Sequence, residues 1–301
     1  GVASGDPLQD RVVLWTRLSP IGRRGRVPVF WEVAADRHFR RVVRRGVAVT
    51  DVSRDFIVKV DADGLPAGST LFYRFRSGRA VSPMGMTRTL PRGAVAEVRL
   101  AVFSCSNYPA GYFHAYREVA RRSDLFASVH LGDYIYEYGR GSYASADAPA
   151  MDREVDPEGE LLLLDDYRRR YGQYRSDPDC QAMHAAMPMI AVWDDHEIAN
   201  DTWKDGAENH NPGEGAFTAR KAAAIRAYHE WMPTRVDDAR RPERIYRSFD
   251  FGQLLSLHML DTRVIARDRQ LDYADYFGAA GFDAAAFAAA MADPSRQLLG
   301  S

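Results

Sequence analysis

The sequence predicts an N-terminal all-β sandwich followed by an α/β domain, on three observations. Over the first ninety or so positions, short β-branched and aromatic segments recur between turn residues, with no stretch of helical period among them. From residue 98 onward, short apolar-rich runs alternate with helix-period stretches, the pattern of a layered α/β arrangement. The length, 301 residues, suits two domains better than one.

In order, strands are expected over residues 11–18, 27–34, 41–49, 56–60 and 70–76, where β-branched and aromatic side chains favour a pleated, half-buried surface. Ser19-Pro20, Arg45-Gly46, Asp63-Gly64 and Ser77-Gly78 supply turn chemistry. Residues 65–73 resemble the corner before a late strand of fibronectin-type or immunoglobulin-like domains. Breakers from Ser82-Pro83 to Pro91-Arg92-Gly93 mark a linker, so the domains are expected over 1–92 and 93–301. Then VRLAVFS (98–104), LFASVHL (125–131) and PMIAVW (188–193) read as buried strands. Helices are expected over 112–122, 161–175, 178–187 and 215–231, the last stopped by Pro233. A polar loop spans 139–159, a hairpin turned at Phe251-Gly252 spans 244–260, and 279–291 is an Ala-rich helical stretch.

Composition removes several classes. With 40 basic and 41 acidic residues the formal net charge is −1, which argues against holding nucleic acid by bulk electrostatics. No apolar run approaches the ~20 residues of a membrane-spanning helix. The two cysteines, Cys105 and Cys180, make no disulfide framework. Only Lys59, Lys204 and Lys221 are lysines, so arginine dominates the basic residues, a weak tilt towards phosphate handling. The opening Gly1-Val2-Ala3-Ser4-Gly5-Asp6 has neither an initiator Met nor an apolar signal core and is expected to begin a processed or trimmed chain.

In α/β sheets functional groups collect beyond the carboxyl ends of strands, and all three apolar runs end in candidate ligands. Cys105 follows the first, in Phe103-Ser104-Cys105-Ser106-Asn107; a thiolate aimed at a metal selects iron, zinc or copper, whereas the bland alternatives are a buried apolar Cys or a Cys105–Cys180 disulfide. Gly132-Asp133-Tyr134-Ile135-Tyr136 follows the second. Its Asp can bridge two cations and the phenolate of Tyr136 suits a trivalent ion, against the plainer reading of a capping Asp and core aromatics. Trp193-Asp194-Asp195-His196-Glu197 follows the third; so many acids in sequence repel unless cations or arginines neutralise them. Asn200-Asp201 adds oxygen ligands, and Arg263 in Asp261-Thr262-Arg263 serves either a phosphate or a structural ion pair. His114, His130, His184, His210, His229 and His258 have no ligand spacing among themselves and read as surface or core histidines.

Together these segments resemble the calcineurin-like metallophosphatase superfamily, above all its purple acid phosphatases, through Gly132-Asp133-x-x-Tyr136 and Asp195-His196-Glu197. With Gly1-Val2-Ala3-Ser4-Gly5-Asp6-Pro7, Val13-Leu14-Trp15-Thr16-Arg17 and Phe103-Ser104-Cys105-Ser106-Asn107, the whole chain is similar to the PhoD-type alkaline phosphatases. That resemblance implies a layered αββα metallophosphatase domain, Fe(III) and Ca²⁺ as cofactors, secretion or a periplasmic home by twin-arginine export, and a metal-bound hydroxide attacking phosphate monoesters. By the same resemblance Cys105, Asp133 and Tyr136 hold Fe(III), while Asp133 bridges to a Ca²⁺ that Asp195, Asp194 and Asn200 ligate. His196 is then the catalytic acid or phosphate orienter and Asn107 a hydrogen-bond donor to phosphate; Arg263 is a further phosphate contact. Phosphodiesterase or phospholipase D-like hydrolysis is the alternative at the same site, and a secreted calcium-dependent binding protein is the alternative of another class. Nothing after Asp261 offers the later His ligands of the superfamily, so the chain is expected to be the N-terminal portion of a longer protein, with part of the metal site absent. Oligomeric state is not legible.

Overall fold

The computed structural model describes residues 1–19, 25–236 and 238–299, so Pro20 of the expected Ser19-Pro20 turn and the final Gly300-Ser301 lie outside the described residues. The chain runs β1 (Val2–Gly5), β2 (Val12–Arg17), β3 (Val27–Ala34), β4 (Val42–Thr50), β5 (Ile57–Ala62), β6 (Thr70–Ser77), β7 (Ala80–Val81) and β8 (Gly85–Arg88). It continues as β9 (Leu100–Phe103), α1 (His114–Ala120), β10 (Ala127–His130), α2 (Ala148–Met151), α3 (Leu164–Tyr174), α4 (Pro178–Ala186), β11 (Met189–Ala191) and α5 (Phe217–Trp231). A hairpin of β12 (Arg247–Phe251) and β13 (Leu255–Met259) follows, then β14 (Phe277–Gly278), β15 (Gly281–Phe282) and α6 (Ala284–Met291).

The β-rich N-terminal region divides between two sheets. One has the order β4-β3-β6-β7, with β8 also against β6; the other is six-stranded, β5-β2-β1-β11-β10-β9. Val29 and Val33 of β3 and Leu71, Tyr73 and Phe75 of β6 face Val12, Leu14 and Val58 of the second sheet across a shared core. Each buried aliphatic side chain there contributes roughly 1.5–3 kcal/mol. Side chains alternate along a strand, so Trp15 of β2 faces the other way, into the larger core, where its Nε1 donates to the Glu230 carbonyl near the end of α5 at 2.9 Å.

The six-stranded sheet is the main departure from expectation, since it does not stop at a domain edge. β1, not anticipated as a strand, pairs antiparallel with β2 and parallel with β11, Gly5 standing opposite Met189. Small residues let it into this crowded place: a Cβ on Gly5 would lie 2.4 Å from the Pro233 carbonyl oxygen. Arg45-Gly46 is not a turn but lies within β4, opposite Glu32 and Trp31. Gly46 is needed there because the Trp31 ring lies over its backbone, 2.5 Å from where a Cβ would sit. The linker is likewise partly a strand, since β8 pairs with β6 and Leu90 is buried.

In the second half, the three apolar runs form the parallel strands β9, β10 and β11, with β10 between the other two. On α5, Phe217, Arg220, Ala224, Ala227, Tyr228 and Trp231 are buried, the helical spacing that packs it on α3. The expected loop over 139–159 holds α2, and a second small hairpin precedes α6. No helix among the described residues is long and apolar enough to cross a membrane.

Candidate metal centre

The turns after β9, β10 and β11 meet. The Cys105 N–H donates to the Gly132 carbonyl at 3.2 Å and that of Ser106 to the Asp133 carbonyl at 2.8 Å, zipping the first turn to the second. Cys105 (φ 58°) and Asp133 (φ 54°) both sit in the left-handed region that non-glycine residues rarely enter, a conformation that clusters at functional sites. Gly132 (φ 106°) is required by its neighbour, since a Cβ there would lie 2.3 Å from the Asp194 nitrogen. Glu197, wholly buried, then ties the second turn to the third. Its Oε2 accepts from the backbone N–H groups of Asp133 (3.0 Å) and Asp194 (2.8 Å), and its Oε1 from that of Tyr134 (2.6 Å).

This backbone delivers two side chains to one oxygen of a third. The Cys105 thiol (3.4 Å) and the Tyr136 hydroxyl (3.2 Å) both donate to Asp133 Oδ2, while Asp133 Oδ1 is buried with no hydrogen-bond partner. Ligating atoms of Asp133, Asp195 and His196 lie within 4.8 Å of one another. Burial raises the carboxyl pKa of Asp133, and raises that of Asp195 to about 6 and that of Glu197 to about 8. Burial, then the neighbouring Asp133 and Cys105, also pushes the Tyr136 phenol up. Asp133 with its orphaned oxygen, and Asp195 beside it, have under-compensated charged forms that a cation would satisfy. A thiol and a phenol sharing an acceptor fit an iron-like ion, and the free Oδ1 of Asp133 fits a hard divalent one.

His196 stacks on Tyr136 with ring centroids 4.2 Å apart. Its Nδ1 is bound to Glu137 Oε2 at 2.7 Å, and its Nε2 carries no hydrogen bond among the described residues. Burial alone would lower the imidazole pKa, but the Glu137 hydrogen bond and charge, with Asp195 and Asp133 beyond, raise it to about 9. Glu137 was not singled out from the sequence. It is fully buried, and its other oxygen accepts from the Asn200 N–H (2.7 Å) and Asn209 Nδ2 (2.8 Å). Arg170 was also missed; it is buried on α3 and donates to the Tyr136 and Pro157 carbonyls. Position directly after Tyr136 was the one signal for Glu137; nothing local pointed to Arg170. Glu137→Gln is expected to lower kcat by about 10- to 100-fold, because an amide oxygen holds the ring less firmly than a carboxylate. Steady-state kinetics with the metal content measured in parallel checks this.

The remaining candidates lie around this group rather than in it. Arg263 Nε and Nη2 clamp Asp194 (2.6 and 3.3 Å), with Asp195 at 3.4 Å and Asp201 at 3.3 Å, so its guanidinium is engaged by carboxylates. Asn200 turns its amide to Glu208 Oε2 at 3.0 Å. Asn107 Nδ2 reaches the Tyr143 carbonyl at 3.5 Å, while its Oδ1 is buried without a partner. Cys105 and Cys180 are both free; Cys180 lies buried against the Tyr134 hydroxyl, so the disulfide alternative falls. His130 and His184 are buried core histidines, as expected.

Known proteins resemble this chain over its whole length. Residues 100–301 match the family described as PhoD-like phosphatase, and residues 1–91 match the PhoD-like phosphatase N-terminal domain. The chain is 44% identical over 279 residues to alkaline phosphatase D of Bacillus subtilis (strain 168), covering 89% of this chain and 47% of that protein. It is similar to a solved structure titled "Structure of PhoD", with TM-score 0.86 and 41% identity, over 100% of this chain and 57% of that one. The chain thus spans about half the length of the relatives it matches.

Proposed function

Because the chain belongs to the PhoD-like phosphatase family, we propose that it hydrolyses phosphate monoesters at a centre holding Fe(III) and Ca²⁺. The observation that carries this is the convergence of the Cys105 thiol and the Tyr136 phenol on Asp133 Oδ2, beside an unpartnered Oδ1. Cys105 and Tyr136, giving up their protons, would hold the trivalent ion, and Asp133 would be shared with Ca²⁺. Asp195 would be a calcium ligand, with Asp194 and Asn200 at its margin. When bound, the two cations supply Lewis acidity towards the phosphoryl oxygens and lower the pKa of water.

This chain's own groups do the rest. His196, held at Nδ1 by Glu137, donates a proton from Nε2 to the leaving oxygen, a role worth roughly 10²–10⁴-fold. Asn107 offers its amide to the phosphate. Arg263, occupied by three carboxylates, keeps them aligned rather than gripping the phosphate. The same reading takes residues 1–92 as a fibronectin/immunoglobulin-like sandwich, residues 93–301 as a layered αββα metallophosphatase portion, and the protein as secreted or periplasmic. The two family matches, over residues 1–91 and 100–301, support the division, while β1, β2 and β5 of the first part share one sheet with β9, β10 and β11 of the second.

Elemental analysis with a visible spectrum tests the proposal, alongside turnover of a monoester and a diester. Iron together with calcium, a tyrosinate-to-iron charge-transfer band and faster monoester hydrolysis are expected. Faster diester hydrolysis would reverse the substrate order, and a colourless calcium-only protein would replace the enzyme by a binding protein.

A further inference from the structure

We infer that Tyr143 sets the leaving-group specificity of this site, its exposed ring forming the wall on which a planar, π-bearing leaving group stacks. The inference rests on the phosphate-ester reading above. Tyr143 is 59% exposed. It is nonetheless held. Its ring lies nearly parallel to Tyr136 (15°, centroids 6.1 Å apart), and Tyr138 stands at 5.7 Å. Its carbonyl faces Asn107 Nδ2, and the Ser145 hydroxyl donates to the Ser142 carbonyl at 2.6 Å, closing the turn that carries it.

The placement connects this ring to the chemistry. From His196 to Tyr136 to Tyr143 runs a continuous aromatic series, and Tyr136 at its centre donates to Asp133 Oδ2. An ester held at this centre would set its leaving group against Tyr143, the exposed ring that stacks on Tyr136. Every other residue from 141 to 146 is Gly, Ser or Ala, so no second bulky side chain on that turn competes for the space. A preordered, exposed aromatic face discriminates by ring stacking, and such contacts change affinity by about 3- to 10-fold.

The test compares phenylphosphonate and methylphosphonate, which carry the phosphoryl group but cannot be hydrolysed. Their affinities are measured by calorimetry for the wild type, Tyr143→Phe and Tyr143→Ala. The phenyl-to-methyl affinity ratio is expected to fall about 3- to 10-fold in Tyr143→Ala and to hold in Tyr143→Phe. An unchanged ratio in Tyr143→Ala, including one where both probes weaken equally because the turn has collapsed, overturns the assignment and leaves the phosphatase reading intact. A wild-type protein that binds neither phosphonate and hydrolyses no phosphate ester overturns that reading, and this inference with it.

Discussion

Replacing Asp133 by Asn is expected to remove metal binding and phosphate-ester hydrolysis together, by about 10³-fold or more in kcat/KM. The amide keeps the shape of the carboxylate but loses its charge and one of its two acceptors. Cys105 and Tyr136 then have no common anionic partner, and the oxygen now lacking a hydrogen bond becomes either a donor or a neutral acceptor. The fold should survive. Burial already disfavours the ionised Asp133, so removing its charge relieves a cost in the metal-free protein. The measurements are metal content, turnover and urea unfolding of the same preparation. Activity near wild type in the Asn variant would sink the proposed centre.

Glu197→Gln should act on stability instead. In the native protein both carboxylate oxygens accept backbone N–H groups, two at Oε2 and one at Oε1. A glutamine amide presents N–H to at least one of those donors, and a buried N–H left without an acceptor costs about 1–3 kcal/mol. The net destabilisation expected is about 1–3 kcal/mol, since losing a buried charge offsets part of the loss. The pH dependence gives a second check. Burial, then the charge of Asp133, raises the Glu197 pKa from 4.5 to about 8, so the folded state binds this proton more tightly than the unfolded one. In metal-free protein this contribution is present below about pH 4.5 and lost as pH rises towards 8; the Gln variant has no such term. The stability gap between the two should therefore narrow across that window, and a gap that widens would contradict the assignment.

Much of the fold was legible because hydrophobic pattern and turn residues report local structure. The runs 98–104, 125–131 and 188–193 became β9, β10 and β11, and 27–34 became β3 without adjustment. What escaped notice depends on distant partners. β1 is four residues, two of them Ala and Gly, and is a strand because β2 and β11 flank it. Gly46 looked like a turn because the Trp31 ring that explains it lies on another strand. At the site, strand-end positions pointed to Cys105, Asp133 and Asp195, because a residue just past a strand can leave the sheet. Glu137 gave no sign of its role, and Glu197, although part of the acidic run after the third strand, gave none of its backbone partners, since only tertiary packing reveals that each is buried and fully hydrogen-bonded. Arg263 was identified as a cation for this region, but which anion it meets is set by the turn after β11.

The pairing of β1 with β11 also bears on how the chain can assemble during synthesis. Residue 5 finds its neighbour at residue 189, so the middle of the principal sheet stays open until the chain has emerged past residue 189. Such distant closure is slow, because the intervening chain must surrender its freedom before the contact repays it. Until then two unpaired edges face solvent, and a helper that shields them is expected to raise the yield of native protein.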